Sequence, residues 1–135
     1  MTKLLVLSSE SLLEDSLSKP LEGAKQLIQA FKNKNYKIIA LSKKDPILQD
    51  TLHSELISLG LNIDATIACG EKKFVETKKK YIQILQPDYF IDNDESSVKS
   101  VSDKTKAILI SNAKPLCIKN YKYLPNFNDF SSIKI

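Results

Sequence analysis

Runs of strand length, nearly all apolar, alternate along this sequence with stripes of helical spacing, and that alternation leaves few folds open. Residues 4–7 and 38–41 read as strands covered on both faces, ending at Ser8 and Ser42. Residues 63–67 give a weaker third strand, 89–91 a short fourth and 107–110 a fifth. Between them, Leu21, Ala24, Leu27, Ile28 and Phe31 form a helical stripe opened by Pro20. Leu48, Leu52, Leu56 and Leu59 form a second, which Gly60 closes. Phe74, Val75, Ile82 and Leu85 mark a third that must stop before Pro87, and residues 96–103 predict a short helix with Val98 and Val101 inward. Strands alternating with helices imply right-handed crossovers, and hence an α/β fold with a doubly wound, mainly parallel five-stranded sheet.

At 135 residues and 42% hydrophobic, the chain can bury one core without metals or disulfides. One domain over residues 1–135 is expected, with a core at 3–113. The tail, 114–135, carries Pro115, Pro125 and four aromatics, and is expected to wrap irregularly over that core. Leu12, Leu13 and Leu17 are expected to close over a sheet edge. Cys69 and Cys117 have no second Cys or His at ligand spacing, and read as two buried thiols. No apolar stretch approaches the ~20 residues that cross a bilayer, and the short run at 4–7 is no signal peptide, so a cytoplasmic protein without a membrane partner is expected.

The net charge of +4 comes entirely from lysine, since arginine is absent. Arginine is favoured for bidentate grips on phosphates and guanine edges, so a sequence-reading nucleic-acid interface is not expected. Lys78-Lys79-Lys80 reads as a solvated face of the third helix, with one residue in three at the edge of the core and the others in water. Lys119-Asn120-Tyr121-Lys122-Tyr123 interleaves basic and aromatic residues, and is expected to anchor on its own domain rather than stack bases. With only three glycines there is no dinucleotide fingerprint. His53, the sole histidine, reads as a surface or half-buried helical residue.

In doubly wound sheets ligands bind beyond the carboxyl ends of the strands, near the point where strand order reverses. That rule selects Ser8-Ser9-Glu10-Ser11, Ser42-Lys43-Lys44 and Asp92-Asn93-Asp94-Glu95, with Lys72 and Lys73 ahead of the third helix. Three carboxylates in four residues repel one another without a compensating cation, and hard oxygen ligands of this kind suit magnesium. The plainer alternative is an acidic turn that caps the next helix through Asp94 or Ser96.

Taken together, these segments resemble the haloacid dehalogenase (HAD) superfamily, mostly aspartate-nucleophile phosphatases that use magnesium. Residues 91–98 match its hydrophobic strand, paired acids and short helix, and residues 20–42 its first helix and second strand. The resemblance implies strand order 5-4-1-2-3 and puts Ser8 at the nucleophile position, where the family has aspartate. It puts Glu10 at the general acid and base. Ser42 with Lys73 or Lys72 would bind phosphate, and Asp92, Asn93 and Asp94 would form a weak magnesium site. About a dozen residues separate Ser8 from the next helix, too few for a sizeable cap domain. Ser8 is neutral and has no evident base, so the resemblance implies a degenerate phosphatase site, catalytically impaired and serving binding or regulation of a phosphorylated ligand or protein partner. The alternative is a weakly active magnesium-dependent phosphatase. A receiver-like or flavodoxin-like module is the third reading, separable because it places strand 1 between strands 2 and 3.

Overall fold

The computed structural model describes residues 3–13 and 19–135. Its strands are β1 (Lys3–Ser8), β2 (Tyr36–Ser42), β3 (Ala65–Ala68), β4 (Tyr89–Asp92), β5 (Lys106–Ile110) and β6 (Lys122–Leu124). Its α-helices are α1 (Ser9–Leu12), α2 (Ala24–Asn33), α3 (Gln49–Ser58), α4 (Phe74–Leu85) and α5 (Glu95–Val101). The strands form one sheet in the order β3-β2-β1-β4-β5-β6. Every pairing is parallel. Placing β1 between β2 and β4 excludes the receiver-like order and puts the reversal of winding at the carboxyl ends of β1 and β4.

The apolar runs become central strands because both of their faces are covered. Leu5 and Leu7, Ile38 and Ala40, Tyr89 and Ile91, and Ile108 and Ile110 point into one core with the buried stripes of α2 and α3. Val6, Leu41, Phe90, Ala107 and Leu109 point the other way, against Ile82 of α4 and Val98 and Val101 of α5. This is the period-two alternation of a strand, made invisible in the sequence by burial on both sides.

The sheet has six strands rather than five, and the sixth comes from the tail. Residues 122–124 pair in parallel with Ile108, Leu109 and Ile110. A 3-10 segment, Phe127–Ser132, follows. Phe127 and Ile133 are buried in the larger core, and the Tyr89 hydroxyl donates to the Lys134 carbonyl at 3.0 Å. The tail is therefore partly regular rather than irregular throughout. It presses on Gly23, where φ is +87° and an added Cβ would stand 2.8 Å from the Asn128 nitrogen. Only glycine suits a position so placed.

Leu12 is fully buried and Leu13 packs against the same core, whereas Leu17 lies outside the described residues. The thiols differ from expectation: Cys69 is half-buried, and Cys117 is exposed in the non-helical connection from β5 to β6. Among the described residues no helix is long and apolar enough to cross a membrane.

Candidate active site

Because β2, β1 and β4 are adjacent and parallel, their final residues Ser42, Ser8 and Asp92 come to the same end of the sheet. Glu10 follows on α1. All three strand-end side chains are buried, with Asp92 only 1% exposed. The residues form two hydrogen-bonded sets.

The first set centres on Asp92. Its Oδ1 accepts from the Ser8 hydroxyl at 2.9 Å and from the backbone N–H groups of Asn93 at 2.7 Å and Asp94 at 3.1 Å. Its Oδ2 accepts from the Lys78 ammonium at 2.5 Å. Burial pushes the Asp92 carboxyl up, and the Lys78 charge with the Lys78, Ser8 and Asp94 hydrogen bonds pulls against it. Lys78 is itself only 2% exposed and lies 4.0 Å from the centre of the Phe74 ring.

The second set centres on Glu10. Its Oε2 accepts from the Ser9 hydroxyl at 2.7 Å, the Ser42 hydroxyl at 2.9 Å and the Lys43 N–H at 3.4 Å. Ser42 Oγ in turn accepts from the Lys44 N–H at 3.1 Å. Glu10 Oε1 is buried without a partner, alone in this among the side-chain polar atoms of the described residues. A cleft of about 740 Å³ opens in front of both sets, lined by Glu10, Lys43, Lys44, Phe74, Lys78 and Asp92 among others.

Ser8, Glu10, Ser42 and Asp92 are thus gathered as the sequence suggested, and Lys72 and Lys73 are not. Both of those lysines are exposed. Helix α4 begins only at Phe74, and Lys73 stands just outside it with φ of +54°. The lysine brought to the strand ends is Lys78, one turn further on. The reading of residues 78–80 as a solvated face holds for Lys79 and Lys80 and fails for Lys78. The signal was in the spacing: Phe74, Lys78 and Ile82 lie at intervals of four, which puts the lysine on the apolar stripe.

Asp94 is committed to α5, whose N-terminus it caps by accepting from the Ser97 N–H at 3.1 Å and hydroxyl at 2.6 Å. Asn93 contributes its backbone N–H and is exposed. Among the described residues no three His, Cys, Asp or Glu side chains gather as a metal cluster. Magnesium needs oxygens with open lone pairs and uncompensated charge. Asp92 has donors on both oxygens and an ammonium neutralising it, and Glu10, whose Oε1 is open, makes no bond to it and gathers no acidic cluster with it, so the residues present do not fit a resident divalent cation.

The same accounting bears on phosphate. A serine hydroxyl has one proton to donate. Ser8 gives its proton to Asp92 and Ser42 gives its proton to Glu10. Cys69 supplies no substitute nucleophile, because burial pushes its thiol up to about 11 and leaves it protonated at neutral pH. His53 is engaged elsewhere, its Nδ1 2.7 Å from the Thr66 hydroxyl between α3 and β3.

D,D-heptose 1,7-bisphosphate phosphatase from Burkholderia thailandensis superposes with a TM-score of 0.68 at 11% identity, over 97% of each chain. A HAD-superfamily hydrolase from Ehrlichia chaffeensis gives a TM-score of 0.59 at 18% identity, over 93% of this chain and 60% of its own. The fold is that of the HAD phosphatases. The 3-deoxy-D-manno-octulosonate 8-phosphate phosphatase from Moraxella catarrhalis, solved with magnesium and phosphate ions, gives a TM-score of 0.56 at 13% identity, over 92% of this chain and 76% of its own. No protein-family model and no curated protein matches the sequence.

Proposed function

We propose that this chain is a one-domain HAD-like protein with a degenerate phosphatase site, catalytically impaired, and that it acts in binding or regulation. One observation carries the reading: the side chain at the nucleophile position, Ser8, is fully buried and donates its proton to an aspartate that Lys78 already neutralises. A serine becomes a nucleophile when a free base removes its proton and the oxygen reaches the substrate. Asp92 already accepts from donors on both oxygens, the Lys78 ammonium among them, so it is not a free base, and a buried Ser8 oxygen meets no phosphorus.

The second reading, a weakly active magnesium-dependent phosphatase, draws on Glu10, Ser42 and Asp92 at the strand ends and on the magnesium and phosphate bound by the Moraxella neighbour. Against it stand the committed protons of Ser8 and Ser42, which also weigh against a phosphorylated ligand. Two unpaired cysteines suit a cytoplasmic location. Hydrolysis of a generic phosphate ester by purified protein with magnesium tests the proposal. Turnover at background, unchanged in Asp92→Ala, is expected. Turnover that Asp92→Ala abolishes would establish the second reading instead.

A further inference from the structure

We infer that the Lys78 ammonium takes the place of a divalent cation, so that this chain holds its strand ends together with a cation of its own and its stability does not respond to magnesium. The inference rests on the reading of the site as degenerate and deepens it, through the charge balance around Asp92.

Asp92 carries one negative charge in a setting where 1% of it is exposed, and Lys78 supplies one positive charge at 2.5 Å, itself 2% exposed. The pair is neutral. Ser8 adds a hydroxyl and no charge, whereas an aspartate there would leave the strand ends one negative charge in excess and so favour a bound metal. Glu10 accepts from the Ser9 and Ser42 hydroxyls and the Lys43 N–H through Oε2, leaves Oε1 without a partner, and makes no bond to Asp92 or Lys78.

The lysine is held in place as a fixed cation would be. Its stem lies on the buried stripe of α4, and the Phe74 ring stands 4.0 Å from Nζ, over a face that attracts positive charge. A magnesium ion on Asp92 would have to displace this ammonium or sit beside it. Displacement strands Lys78 in the core without a partner, and coexistence sets like charges together where little water screens them.

Thermal melting of the full chain in EDTA and in millimolar magnesium provides the test, with three proteins compared. The wild-type melting temperature is expected to be the same in both solutions. Lys78→Met should melt lower in EDTA and regain part of the loss in magnesium, because Asp92 then lacks its built-in cation. Ser8→Asp should also become magnesium-responsive, since it restores the excess charge. A wild-type melting temperature that rises with magnesium overturns the inference, as does calorimetric titration showing magnesium bound to the wild type at micromolar concentrations. Should Lys78→Met fail to fold, the wild-type melts and titration decide alone. The two proposals fail separately: ester hydrolysis in EDTA would end the reading of impaired catalysis and leave this one standing, whereas a magnesium-dependent melt without hydrolysis would do the reverse.

Discussion

Two lysine–aspartate pairs tie a helix to the sheet, one near each end of it. At the carboxyl end Lys78 of α4 meets Asp92 of β4, with side chains 2% and 1% exposed. At the amino end Lys32 of α2 meets Asp64, just ahead of β3, with side chains 17% and 30% exposed. The chemistry is the same and the surroundings differ. In the buried pair each charge is tolerable only because the other is present, so the partners are bound to one another's survival. In the outer pair water reaches both ions, and the more valuable bond of Asp64 is the one from the Ile38 N–H at 2.8 Å, which fixes the start of β3 against β2.

The largest effect expected from this contrast is in Lys78→Met, which should cost about 3–5 kcal/mol in urea denaturation because an uncompensated carboxylate remains buried. A cost like that of a surface lysine would break the comparison. Removing the second charge as well, in Lys78→Met with Asp92→Asn, should recover much of that loss and show that the penalty belongs to the stranded ion. At the other end Asp64→Ala should cost about 1–3 kcal/mol, chiefly for the orphaned Ile38 N–H. Lys32→Ala should cost only about 0.2–1 kcal/mol and lose its effect in high salt.

Acid titration sharpens the contrast further. Burial, which pushes the Asp64 carboxyl up, is outweighed by the Lys32 hydrogen bond and charge and the Ile38 N–H, so the group is held below the usual carboxylate range. A depressed carboxyl contributes stability that is present above the unfolded-state value and is lost as pH falls through the folded one. Asp64→Asn should therefore flatten the acid limb of a stability profile measured by urea midpoints. An acid limb as steep as that of the wild type would place the responsible carboxylate elsewhere.

Much of the fold was legible because its central strands are continuous apolar runs and its helices carry apolar stripes bounded by Pro20, Gly60 and Pro87. The sixth strand was not. Lys122, Tyr123 and Leu124 are too few to show a period, and their pairing with β5 follows a non-helical connection that carries no apolar stripe. At the site, Ser8, Ser42 and Asp92 could be placed from the sequence because strand ends are where hydrophobic runs stop. Lys78 could not be placed by counting charges in a run of three lysines. Its identity depends on the register of α4, which the first helical residue, Phe74, sets. Which hydroxyl gives its proton to which carboxylate is a matter of a few tenths of an ångström, and no spacing in a sequence records it.

The brevity of β6 protects this protein from itself. A sheet of parallel strands ends in a row of unpaired amides and carbonyls, a template on which a second molecule can add a strand and begin a fibril. Ending instead at β5 would offer a neighbour Ala107 to Ile110, four buried apolar residues in a row. With β6 in place, the outermost strand is only Lys122–Leu124, its first residue charged and its last followed at once by Pro125, which has no amide proton to donate. Three residues of tail thus turn an aggregation-prone border into one on which stacking of copies has little to grip.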